Sequence, residues 1–171
     1  MTIREDQNKF LSEKYAEAIR YMDNAKETLR KAGKDDPNYT DPKYVKTACG
    51  TAYSGVLVAI DAWFILKGIP ELSRKQRKSV DCYTACIVMI DENLASSLLA
   101  AYGVLHRAGY YDGITSVKVI EGGFDAAYEI IERIKPEHFV PVRETRAQGI
   151  KRGLNNLLIS TSVMFRLRRI I

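Results

Sequence analysis

Apolar residues return every three or four positions along most of the chain, and no stretch alternates strictly between apolar and polar. Leu11, Tyr15, Ala18, Met22, Ala25, Leu29 and Ala32 draw one stripe down a first helix that ends near Gly33. Thr2 and Glu5 stand at capping-box spacing ahead of it, and Glu27 and Lys31 form an i,i+4 pair on its outer side. The segment KDDPNYTDP is turn chemistry and predicts a loop. A second helix is expected after Asp41, with Pro42 in its first turn and Val45, Cys49, Ala52, Val56, Ala59, Trp63 and Leu66 on one face, until KGIP stops it. Its second half, VLVAIDAWFIL, is apolar nearly all round, as befits a helix covered on two sides.

From Ser73 to Arg107 the spacing continues through Tyr83, Ile87, Ile90, Leu94, Leu98, Ala101 and Leu105. The IDEN segment offers a cap at Asp91, so a break at Asp91 to Asn93 is favoured over one continuous helix. RAGYYDG predicts a loop, and Ser116 a cap for a helix carrying Val117, Ile120, Phe124, Ala127, Ile131 and Ile134. Gly122 and Gly123 inside that helix point to close backbone packing. KPEHFVP interrupts the pattern, and Ile150, Leu154, Leu157, Met164, Leu167 and Ile171 return it in an amphipathic tail. The expected fold is all-α: an antiparallel up-and-down four-helix bundle over residues 1–135, with a basic amphipathic C-terminal segment, 136–171, packed on the bundle or on a partner subunit.

Charge sharpens that division. From residue 141 onward seven basic residues face one acid, while the body is close to neutral within an overall net charge of +5. The tail residues Arg143, Arg146, Lys151, Arg152, Leu154, Leu157 and Met164 are therefore the expected interaction set, toward the fold itself, a second subunit, RNA or an anionic membrane surface. No apolar leader opens the sequence and no run of 18 apolar residues occurs, so a cytoplasmic protein without a membrane span is expected. Cys49, Cys82 and Cys86 read as free thiols, and with two histidines in the chain no metal site is expected. A glycine-rich phosphate loop, His-Glu-x-x-His and a nucleophile elbow are all missing, so no cofactor is expected either.

Asp61 interrupts LVAIDAWF on the face opposite the Val45–Trp63 stripe. A carboxylate among apolar neighbours either carries a raised pKa for acid–base work or pairs with a lysine, arginine or tyrosine of a neighbouring helix or subunit; the structural role is the expectation. Tyr110 and Tyr111 beside His106 and Arg107 make an aromatic and basic corner that could stack bases if exposed, and anchors a loop if packed.

Three stretches, YAEAIRYMDNAKETLRKAG, TACGTAYSGVLVAIDAWFILKGI and LHRAGYYDGITSVKVIEGGFDAAYEIIERI, resemble in their order the HEPN domains, small bacterial and archaeal helical bundles. The resemblance covers roughly residues 8–134, with Arg107, Tyr111 and Asp112 matching the arginine and the tyrosine–aspartate element that leads into the last family helix. It implies a bacterial protein acting as a ribonuclease toxin, as a nucleotide or RNA binder, or as a noncatalytic partner of a nucleotidyltransferase, and often dimeric. RIKPEH supplies the arginine and histidine of that family's ribonucleases, Arg133 and His138. Pro136 between them disfavours the helical backbone that would aim both side chains at one phosphodiester. The leading expectation is thus a noncatalytic, self-associating interaction module with a nucleotidyltransferase or antitoxin-like protein as possible partner. A HEPN-like ribonuclease is the alternative, and binding of RNA or anionic membrane through the tail is a third reading.

Overall fold

The structure, a computed structural model, describes residues 3–69 and 79–138. In order come α1 (Ile3–Arg30), a hairpin of β1 (Lys34–Asp35) and β2 (Asn38–Tyr39), α2 (Pro42–Leu66), α3 (Val80–Val88), α4 (Glu92–Ala101), a π-helical segment (Tyr102–Asp112), α5 (Val117–Glu132) and a single 3-10 turn (Pro136–His138). The described chain is all-α in class apart from the hairpin. Thr2 of the expected capping box, the start of the third helical stretch near Ser73 and the whole tail from Phe139 lie outside the described residues.

Local chemistry sets the boundaries of the first two helices. Gly33 takes φ +66 just past α1, a left-handed conformation that glycine adopts without steric cost, and the chain turns into the hairpin. Asp41 caps α2 by accepting a hydrogen bond from Lys43 N at 2.9 Å, with Pro42 in the first turn. The predicted stripes then close the core: Leu11, Ala18, Met22 and Ala25 of α1 meet α2 with no exposure, as do Val45, Cys49, Ala52, Val56 and Ala59 from the other side. α2 also packs on the π segment and on α5, and α4 packs on α5. By length and composition α2 could cross a membrane, but half of that stretch is buried inside the fold, as the core helix of a globular domain would be.

Five expectations need correction. The first loop holds two strands, too short for alternation to reveal them, and they do a specific job. Tyr39 N donates to Thr115 O at 2.8 Å and Val117 N to Pro37 O at 3.0 Å, so the hairpin satisfies an N–H that α5 leaves open at its start. Ser116 stands at the N-cap of α5, but its hydroxyl makes no cap hydrogen bond. Ile90 is exposed rather than buried: α3 ends at Val88, Ile90 N and Asp91 N both bond back to Ile87 O, and this turn carries Ile90 off the stripe. Asp91 restarts the helix by accepting from Leu94 N, so the break falls where its side chain can cap. Gly123 does permit close packing, since a Cβ there would stand 2.5 Å from Val104 Cγ1, whereas Gly122 faces open space. Lastly, RAGYYD belongs to the π helix rather than to a loop, and Gly113 is its left-handed cap.

Candidate functional site

The π segment owes its place to small residues on the helices around it. A Cβ on Gly109 would overlap Cys49 Sγ and lie 2.9 Å from Cys49 Cβ, and one on Gly50 would lie 3.0 Å from the Tyr110 ring. Glycine at both positions brings the segment against α2 nearly backbone to backbone. Lys46 of α2 lies across Gly113, where φ is +73, and its Nζ donates to Tyr111 O at 3.2 Å, putting a cation on the carbonyl end of the helix. The Cys49 thiol is buried, which pushes its pKa up to about 12 and keeps it protonated and unreactive.

Wider i→i+5 winding places both the fourth and the fifth residue beside a given side chain. His106 accordingly stacks on Tyr102 at 5.3 Å and on Tyr110 at 6.0 Å between centroids, and meets Tyr111 edge-on at 5.1 Å. Tyr53 of α2 closes the cluster from beneath, 4.8 Å from the histidine ring. Exposure rises outward: Tyr53 is buried, Tyr102 and His106 are half-buried, and Tyr110 and Tyr111 are 45% and 64% exposed. Arg107 and Asp112 are exposed at the same end. The corner read from the sequence is thus both packed and presented, its rings bracing one another while two of them face solvent.

Nothing in this cluster is arranged for proton transfer. Among the described residues no side chain hydrogen-bonds the His106 ring, so no carboxylate fixes its tautomer and no nucleophile stands beside it. Partial burial lowers the His106 pKa below its ordinary value. Folding therefore favours the neutral ring, and the stability this contributes is full above about 6.5, the unfolded value, and declines as pH falls toward the folded pKa. Urea midpoints should fall between pH 7.5 and pH 5.5 by less in His106→Gln than in the parent. An equal fall in both proteins would assign the acid sensitivity to other groups.

The remaining sites named from the sequence lie elsewhere. Asp61, half-buried on α2, accepts a hydrogen bond from Tyr83 Oη of α3 at 2.9 Å. Arg133 caps the end of α5 and pairs with Asp91 Oδ2 at 3.2 Å. His138 stands in the 3-10 turn that Pro136 opens; its side chain, like Arg143, Arg146, Lys151, Arg152, Leu154, Leu157 and Met164, lies outside the described residues. Cys82 and Cys86 are free, and no group of three metal-binding side chains occurs among the described residues. Tyr53 and Tyr102 were not singled out from the sequence, because both read there as ordinary members of helical faces.

A family model described as Domain of unknown function (DUF5618) matches residues 13–136. A solved structure, a protein of unknown function from Dyadobacter fermentans, is 38% identical over 72% of this chain and 94% of its own, with a TM-score of 0.63. No curated protein matches the chain.

Proposed function

The chain belongs to the DUF5618 family, and from that premise we propose a noncatalytic, self-associating helical interaction module of HEPN-like type. The tyrosine face of the π segment is its contact surface. In this reading α1, α2, the rod of α4 with the π segment, and α5 form an antiparallel up-and-down bundle. Leu154, Leu157 and Met164 of the C-terminal segment, which lies outside the described residues, are the apolar side chains that this reading offers to a partner surface.

One observation carries the proposal. Tyr110 and Tyr111 are large, exposed and yet held by ring contacts with His106 and each other, next to exposed Arg107. Pre-ordered aromatic side chains lose little conformational freedom on binding, and tyrosine and arginine dominate the residues that contribute most to protein interfaces. A cytoplasmic module meeting a second copy of itself, or a nucleotidyltransferase or antitoxin-like protein, fits that surface. The ribonuclease alternative is disfavoured by the Arg133–Asp91 ion pair, which uses the arginine to join α5 to the start of α4.

Sedimentation equilibrium across protein concentration tests the proposal. Wild-type chain should self-associate, and Tyr111→Ala should raise the dissociation constant on the order of thirtyfold, because a two-fold interface loses an anchor on both sides. A wild type that stays monomeric throughout, or a variant that associates equally well, would overturn it.

A further inference from the structure

Helix α3 turns one face inward and carries sulfur on another. Tyr83 and Ile87 are buried in the fold, with Tyr83 donating to Asp61 of α2 and its ring 5.5 Å from that of Phe64. Beside that face stand Cys82 and Cys86, both half-buried free thiols, and Met89, a large apolar side chain left 76% exposed. Met89 keeps helical backbone at the C-cap, with φ −72 and ψ −11. At 100° per residue, positions 82, 86 and 89 therefore fall within about 60° of one another around the helix axis. Three sulfurs share one face over two turns.

Residues four apart on a helix hold their Cβ atoms about 5–6 Å from each other, too far for a relaxed disulfide, which needs about 3.5–4.5 Å. The same spacing suits chelation, because two sulfurs each about 2.3 Å from one ion can stand up to about 4.6 Å apart. Burial first, and then the charge of Cys82, push the Cys86 thiol up, so it stays protonated until a metal takes the place of the proton. Zinc is poorly served, since no trio of imidazoles, thiols and carboxylates forms among the described residues and structural zinc takes four such ligands. A thioether is a donor for softer ions. We propose that Cys82, Cys86 and Met89 bind one Cu(I) ion in a three-sulfur site on the solvent side of α3. Binding releases both thiol protons to water and leaves a Cu(I) bis-thiolate with the Met89 thioether as its neutral third donor, with no change of oxidation state. The sequence expectation of no metal counted thiols and histidines alone, which leaves a thioether one turn further on uncounted. This site is independent of the tyrosine face and stands or falls without it.

Anaerobic titration of the reduced full chain with Cu(I), supplied as its bicinchoninate complex, provides the test. The chain should withdraw one equivalent of copper, and X-ray absorption should show three sulfur neighbours at about 2.3 Å. Cys82→Ser and Cys86→Ser should each weaken binding by about a hundredfold or more, and Met89→Leu by about tenfold with the sulfur count falling to two. Helical circular dichroism should stay unchanged in all three, and excess Zn(II) should not displace the copper. The Cys82→Ser/Cys86→Ser double variant keeps buried Cys49 and should leave the bicinchoninate complex intact. The proposal is overturned if the chain withdraws no copper, if the double variant binds like the parent, if Met89→Leu keeps the parent's affinity and sulfur count, or if one copper binds per two chains.

Discussion

Replacing Gly109 with alanine should destabilise the protein by about 1–3 kcal/mol, the usual cost of forcing a methyl group into a filled core. The added Cβ has nowhere to go. It would overlap Cys49 Sγ, sit 2.9 Å from Cys49 Cβ and press on Val104 O at 3.2 Å, and the carbonyl belongs to the backbone of the π segment itself. Relief requires the segment to move away from α2, which would also part the His106 ring from Tyr53. Cys49→Ala in the same chain removes the sulfur, and part of the loss should return; a double-mutant cycle in urea would read a coupling of opposite sign to the single effects. Additive losses would mean that the segment is not seated on Cys49. The same substitution should weaken self-association, because the tyrosine face rides on this contact.

A second large effect is expected at Asp91, where one side chain does two things. It caps α4 through Leu94 N and holds Arg133 at the end of α5. Asp91→Ala should cost roughly 1–2 kcal/mol, most of it from the lost cap. The ion pair adds little, since Arg133 is 44% exposed and such pairs are weak in water. Asp91→Asn keeps an oxygen for the cap and should retain most of the stability. Arg133→Ala should therefore be mild, and should leave any behaviour toward RNA unchanged. RNA cleavage by the purified chain that disappears in Arg133→Ala, with stability intact, would establish the ribonuclease alternative instead.

Particular residues explain which features the sequence disclosed. Gly33, Asp41, Pro42 and Asp91 act on their immediate neighbours, so the end of α1, the start of α2 and the α3–α4 break were all legible. The π segment was not, since glycine, tyrosine and aspartate in RAGYYDG carry turn chemistry and only tertiary contact decides otherwise. Cys49 beneath Gly109 and Val104 beside Gly123 are that contact, and both partners are distant in sequence. Gly122 and Gly123 look alike on paper; a step of about 100° around the helix separates open solvent from a packed seam. The hairpin is not legible in the sequence because two-residue strands have no periodicity, although its Pro37 carbonyl accepts from Val117 N at the α5 start. His106, Arg107, Tyr110 and Tyr111 could be grouped by adjacency, whereas Tyr53 and Tyr102 joined them only through folding.

Hydroxyl-radical footprinting of Tyr110 and Tyr111 at protein concentrations below and above the association midpoint tests the contact surface most directly. Both rings are open in the single chain, and an interface centred on them would exclude solvent from each. The account predicts that their oxidation slows several-fold as the protein assembles, while that of exposed Met89 at the end of α3 does not change. Assembly with undiminished oxidation of Tyr110 and Tyr111 would contradict it.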